Sequence, residues 1–242
     1  MKRVLATLMV WALAVAPALP APKSVSARAK PPVLVEMYTA QGCSSCNAAG
    51  EHFNDLAKTP GVLALTFSVD YWNYLGWEDS FAKPEFVERQ RAYVRAFGLR
   101  EVYTPQVVIG GRSQVSGIKT AKVDSLVAQA VKAPADPPDM LFMASGRVAV
   151  GSGRAPRGGA EVWLIRYDPK PQEVQVRRGD NRGETLIQRN VVRELVKLGV
   201  WKGRPMSYKV PAAKTDDLAT VVVVQVPHGG RVIGLLQDDD RS

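Results

Sequence analysis

Three textures of apolar and polar positions follow one another along the chain. An apolar run broken by Pro17 extends from Val4 to Leu19, β-branched runs then alternate with helical spacings to about residue 133, and short β-rich runs separated by Gly and Pro fill the rest. In the second stretch, residues 33–39 read as one strand and Val62 to Val69 as another, with a helix over Asn47 to Lys58 between them. Strand, helix and strand in this order predict a right-handed βαβ unit with parallel strands. Asp70 to Lys83, rich in Tyr and Trp, reads as an insertion. Pro84 then starts a helix that sets Phe86, Gln90, Tyr93 and Phe97 on one face, and Gly98 ends it. Thr104-Pro105 precedes a strand over Gln106 to Ile109, Gly110-Gly111 reverses the chain, Ser113 to Gly117 returns antiparallel, and a helix over Ala121 to Lys132 closes the unit.

Pro134-Ala135-Asp136-Pro137-Pro138 reads as a stiff linker. Beyond it, runs at Leu141 to Val150, Glu161 to Tyr167, Glu173 to Arg177, Tyr208 to Val210, Ala219 to Val226 and Val232 to Leu236 predict a small antiparallel sandwich. Thr185 to Gly199 fits a strand or a helix, because Leu186, Val191, Leu195 and Leu198 loosely keep helical spacing. Asp180 to Glu184 has the composition of a tight surface turn. In a second reading this turn, with Arg189 to Arg193, docks near the active rim and narrows the choice of partner. A cut at Pro137 is then expected to leave a folded first domain.

Lys2 and Arg3 ahead of the first apolar run make it an export signal, with cleavage sites at Val25-Ser26-Ala27 or Ala16-Pro17-Ala18. The expected division is a signal peptide at 1–27, a first domain at 31–133 and a β-rich domain at 138–242. Pro17 and Pro20 argue against a membrane span, so the chain is expected to be periplasmic or secreted, without stable membrane insertion after cleavage. Cleavage would remove Lys2, Arg3 and Lys23 and no acid, lowering the formal charge from +9 to +6. Basic residues in Glu85 to Arg91 alternate with acids at helix-pair spacing, which disfavours nucleic acid as a partner.

The two cysteines, Cys43 and Cys46, stand three apart between the first strand and the helix that follows. A helix N-terminus offers unpaired N–H groups and a positive dipole end, which stabilise a thiolate. Zinc would need about four ligands, and His52 and His228 do not supply a second pair at suitable spacing, so no metal and no cofactor is expected. A redox-active pair and an inert disulfide remain as readings. In the first, Cys43 is the nucleophile and Cys46 the resolver. Pro105 can take a cis bond that exposes the backbone of Thr104 beside the dithiol. Glu36, in the first strand, either takes the proton of the resolving thiol from a buried site or faces solvent. Asp70, Tyr71, Trp72 and Trp77 follow the second strand and either line a groove for an extended partner or pack the inserted helix on the sheet.

Gln41-Gly42-Cys43-Ser44-Ser45-Cys46, the run Asp70 to Asp79, Val102 to Val108, Asp180 to Glu184 and Arg189 to Arg193 resemble an exported bacterial family catalogued as a thioredoxin-like domain of unknown function. The resemblance implies an α/β thioredoxin-like domain, with a central mixed sheet flanked by helices and a helical insertion, followed by a small β-rich, sandwich-like domain. More broadly, the first domain is similar to thioredoxins and periplasmic disulfide enzymes, which would carry the nucleophile, resolver and cis-proline roles onto Cys43, Cys46 and Pro105. Gly42 and the Ser44-Ser45 pair depart from the thioredoxin pattern, and Glu36 lies one position further from the first cysteine than its buried acid. The expected function is thiol–disulfide exchange with a protein partner; the alternative is a redox-inert binding module held by a structural disulfide.

Overall fold

The computed structural model describes residues 30–215 and 217–238; the export signal expected at 1–27 lies outside them. The described residues form thirteen strands and three α-helices. The first half runs β1 (Val33–Thr39), α1 (Cys46–Leu56), β2 (Val62–Ser68), α2 (Pro84–Ala96), β3 (Gln106–Ile109), β4 (Ser113–Ser116) and α3 (Thr120–Lys132). The second is all strand: β5 (Met140–Met143), β6 (Arg147–Val150), β7 (Ala160–Asp168), β8 (Gln172–Gln175), β9 (Thr185–Gln188), β10 (Val191–Trp201), β11 (Met206–Lys209), β12 (Ala219–Gln225) and β13 (Val232–Gln237).

Eight of these strands make one mixed sheet in the order β13-β12-β7-β10-β2-β1-β3-β4. β1 lies parallel to β2, with Val35 opposite Ala64, and antiparallel to β3, with Tyr38 opposite Gln106. β2 then pairs with β10, Thr66 opposite Val191, so the sheet continues without a break from the first half of the chain into the second. This overturns the expected helix-flanked thioredoxin-like domain followed by a sandwich-like domain. β7, β12 and β13, expected in a separate sandwich, and β10, expected as either strand or helix, instead extend the sheet of β1 to β4. The physical reason lies in β2. Its sequence Val-Leu-Ala-Leu-Thr-Phe-Ser is buried almost throughout, as a strand covered on both faces requires, and such a strand cannot be left with an open edge.

Alternation along the strands sends side chains into different cores. Leu34, Leu65 and Phe67 join Phe86, Val87 and Tyr93 of α2 and Ile165, Val221 and Val223 of the second half in one cluster. On the opposite face Val35, Met37 and Val107 pack against Phe53 of α1 and Val123 and Val127 of α3. Val162, Leu164, Val222 and Val224 instead face a three-stranded sheet, β11-β6-β5, through its Val148 and Val150, and Trp201 at the end of β10 joins the same cluster. At the β3–β4 turn, a Cβ on Gly111 (φ +62°) would lie 2.2 Å from the carbonyl oxygen of Gly230. Only glycine permits that approach, beside which the Val232 N–H donates to the Gly110 carbonyl at 2.8 Å.

Candidate active site

β1 ends at Thr39, and the turn that follows aims its residues at the start of α1. Cys43 N–H donates to the Ala40 carbonyl and Cys46 N–H to the Cys43 carbonyl, both at 3.1 Å. This tight winding sets the cysteines 5.3 Å apart at Cα, joined as a disulfide, with Cys46 the first residue of the helix. The dipole of α1 therefore ends at the pair. Ser45 occupies the N-cap position without a side-chain cap bond; its hydroxyl lies 3.5 Å from Cys43 Sγ. Ser44 and Ser45 are exposed, yet Cys43 is only 1% exposed and Cys46 4%.

Two of the residues expected at this site, Trp72 and Thr104, form a hydrogen-bonded chain that ends at Cys43. Thr104 Oγ1 donates to Cys43 Sγ at 3.2 Å, and Trp72 Nε1 donates to Thr104 Oγ1 at 2.7 Å. Indole N–H can only donate, so the threonine oxygen must accept and its single proton is left for the sulfur. The Thr104–Pro105 peptide is cis, and buried Pro105 leads into β3, antiparallel to β1.

A second ring of contacts holds the preceding turn. Trp77 Nε1 donates to Gln41 Oε1 at 2.9 Å, while the Gln41 N–H donates to Asp79 Oδ2 at 2.8 Å. Asp79 also accepts from the Phe81 N–H at 2.9 Å. Burial pushes its carboxyl above the usual carboxylate range, and these N–H donors pull against that rise. Tyr71 donates to Gln90 Oε1 at 3.3 Å, and burial raises its phenol to about 12. Asp70 is half-buried, and its carbonyl accepts the Asn73 N–H at 2.9 Å in the turn below Trp72. Thus Trp72 and Trp77 meet the cysteine turn, whereas Tyr71 lies between α2 and the Thr104 hydroxyl.

Glu36 is placed elsewhere. Its carboxylate, fully buried, accepts from Arg89 Nε at 2.6 Å and from the hydroxyls of Tyr38 and Tyr93. Arg89 also donates to Gln225 Oε1 at 3.1 Å, and its guanidinium lies within 6 Å of the ring centres of Phe67, Tyr93 and Trp163. Burial would lower the guanidinium's affinity for its proton, but Glu36 beside it raises that affinity. Burial drives the Tyr93 phenol up; Arg89 opposes the rise and Glu36 adds to it. Both oxygens of Glu36 are committed to this network, and neither cysteine is among its partners.

Three more residues complete the arrangement: Gln41 and Asp79, not singled out from the sequence, and Asn181 of the Asp180 to Glu184 turn, whose docking near the rim was one of two expected readings. Asn181 lies in the β8–β9 loop and is 4% exposed; its Nδ2 donates to the carbonyls of Gln41 at 2.8 Å and Cys43 at 2.9 Å. Gln41 and Asp79 belonged to motifs noted as such, but their bond spans 38 positions and no local pattern signals it. Among the described residues no group of three or more His, Cys, Asp or Glu is placed to hold a metal ion, and His52 pairs with Asp124 at 2.9 Å. No helix of the described residues is long and apolar enough to cross a membrane.

Fold and site together define a mixed-sheet protein with a CxxC disulfide at a helix N-terminus, sheltered by segments from both halves of the chain. A family model described as "Protein of unknown function (DUF1223)" matches residues 34–225, and the chain belongs to that family. It is similar to the X-ray crystal structure of a protein from Agrobacterium tumefaciens, with 31% identity and a TM-score of 0.68 over 86% of this chain and 94% of that one. It is also similar to HBP35 of Porphyromonas gingivalis, with 13% identity and a TM-score of 0.54 over 86% of this chain and 75% of that one, a likeness of fold alone. No curated protein matches the chain.

Proposed function

We propose that Cys43 and Cys46 form a redox dithiol that exchanges its disulfide with cysteines of protein partners, in a protein exported to the periplasm or beyond. The observation that carries this reading is the chain from Trp72 through Thr104 to Cys43 Sγ, which aims a hydroxyl proton at the sulfur. A purely structural disulfide sulfur carries no charge and has little use for such a donor, whereas a departing or attacking thiolate is stabilised by it. The N-terminus of α1 adds its N–H groups and dipole. What the site shares with thioredoxins in this proposal is the chemistry of the dithiol, not the fold.

In the oxidised protein a partner's thiolate attacks Cys43 Sγ; the bond to Cys46 breaks, and Cys46 leaves as a thiolate that takes a proton from solvent. A second partner thiolate then attacks the partner sulfur of the mixed disulfide and expels Cys43. The partner dithiol is oxidised by two electrons to a disulfide, and Cys43–Cys46 is reduced to two thiols. Reversal of the same steps reduces a partner disulfide. Glu36 is not used in this sequence. Asp70, Tyr71, Trp72 and Trp77 remain on the rim as the proposed surface for the partner, with Tyr74 stacked on Trp72 and largely exposed.

The burial of Cys43 favours the competing reading, a disulfide that serves only as a staple. Equilibration of the purified protein with thiol–disulfide buffers separates the two. A reduction potential above roughly −300 mV is expected; a lower one, with no exchange with a second thiol, would leave only the staple.

A further inference from the structure

Hairpin β8–β9 stands outside the eight-stranded sheet, pairing only with itself. Its base is tied down on two elements. Asn54 of α1 donates to the Ile187 carbonyl at 2.7 Å and accepts the Arg189 N–H at 3.1 Å. From β2, Thr66 donates to the Arg189 carbonyl at 2.8 Å, and Asn190 donates back to the Ala64 carbonyl at 2.9 Å. The tip is braced internally, since Val176 and Glu184 are joined at 2.9 Å, Gly183 bonds to Val176 at 2.8 Å and Glu184 bonds to Asn181 at 3.0 Å. It crosses the cysteine turn, with a Cβ at Gly179 lying 3.7 Å from the side chains of Leu75 and Trp77. Among the described residues its polar hold on the turn is the Asn181 amide, bonded to the carbonyls on either side of Gly42.

Exchange requires a sulfur or thiolate to approach Cys43 Sγ, and a cysteine only 1% exposed offers no such approach. Trp72 and Thr104 serve the reaction where they stand, so the cover that can leave without dismantling the site is the hairpin tip. We propose that β8–β9 is a strap over the dithiol and that Asn181 is its latch, a specificity-determining residue that admits only partners able to lift the tip from the carbonyls of Gln41 and Cys43. An extended cysteine-bearing segment fits this requirement, because its own backbone N–H groups can take the two carbonyls that Asn181 releases. The inference rests on the dithiol being the reactive site.

The test uses the oxidised full-length protein and dithiothreitol, with wild type, Asn181→Ala and Asn181→Asp compared. Aspartate keeps the shape of the latch but has no donor for the two carbonyls. Both variants should be reduced about tenfold faster, the scale set by two lost hydrogen bonds, with an unchanged reduction potential and faster hydrogen exchange at residues 176–184. Faster exchange at the tip with an unchanged reduction rate overturns the proposal, as does a faster rate matched by an equal shift in potential. Wild type alone also decides the matter: reduction that outruns the opening of the 176–184 amides shows that the strap need not open. These rates report access to the sulfur whether or not a protein partner exists, whereas failure of the exchange reading would appear in the potential.

Discussion

Cutting the chain after Pro137 is expected to yield a fragment that aggregates, not a free folded unit. Thr66 of β2 pairs with Val191 and its N–H donates to the Asn190 carbonyl at 3.0 Å, so the cut strips β2 of its neighbour. The same cut removes Ile165, Tyr167, Val192, Val221 and Val223 from the cluster that holds Leu34, Leu65, Phe67 and Phe86. A naked central edge beside an apolar face is a template for self-association. Light scattering and a thermal scan of residues 31–137 check this. A monomer with a sharp unfolding transition would mean that the first half stands by itself and that the second serves another purpose.

Arg89→Met is expected to lower stability by about 3–5 kcal/mol, because it strands the Glu36 carboxylate in the core without its partner. The charge cannot relocate to water: Glu36 is fully buried, and the side chain of Arg89 is only 5% exposed. Replacing both partners, as Glu36→Met with Arg89→Met, should recover much of the loss, since an apolar pair of similar volume avoids the uncompensated charge. Urea unfolding of the single and double variants measures the coupling. Equal losses in the single and double variants would show that the stacking of Arg89 on Phe67, Tyr93 and Trp163 matters more than the ion pair.

Much of the local structure was legible because local rules wrote it. Pro84 at the first helical position and Gly98 beyond the last turn bracket α2, and the run from Val33 gives β1 its period of two with both faces buried. The partnership of β2 with β10 was not legible, since it joins Thr66 to Val191 across the whole β-rich half, and several apolar strands could have filled that edge. β10 itself looked half helical for a physical reason. Register shifts between Val192 and Glu194 and between Lys197 and Gly199 disturb the alternation, so Leu195 and Leu198 fall at helix-like spacing. At the site, the spacing of Cys43 and Cys46 and the rim position of Trp72 and Thr104 could be read from the chain. Glu36 could not, because its partner Arg89 lies 53 positions away. For the latch, docking of the Asp180 to Glu184 turn near the rim could be read as one of two alternatives, but the side chain that makes the contact could not, because the reach of Asn181 to the carbonyl of Cys43 spans 138 positions.

The central claim, that Cys43 is the sulfur through which partners are engaged, is tested most directly by trapping mixed disulfides in cells that produce single-cysteine variants. Cys46→Ser keeps Cys43 but removes the thiol that resolves the intermediate, so it should accumulate partner adducts that reductant releases, while Cys43→Ser should accumulate none. Equal trapping by both variants, or by neither, would contradict the claim.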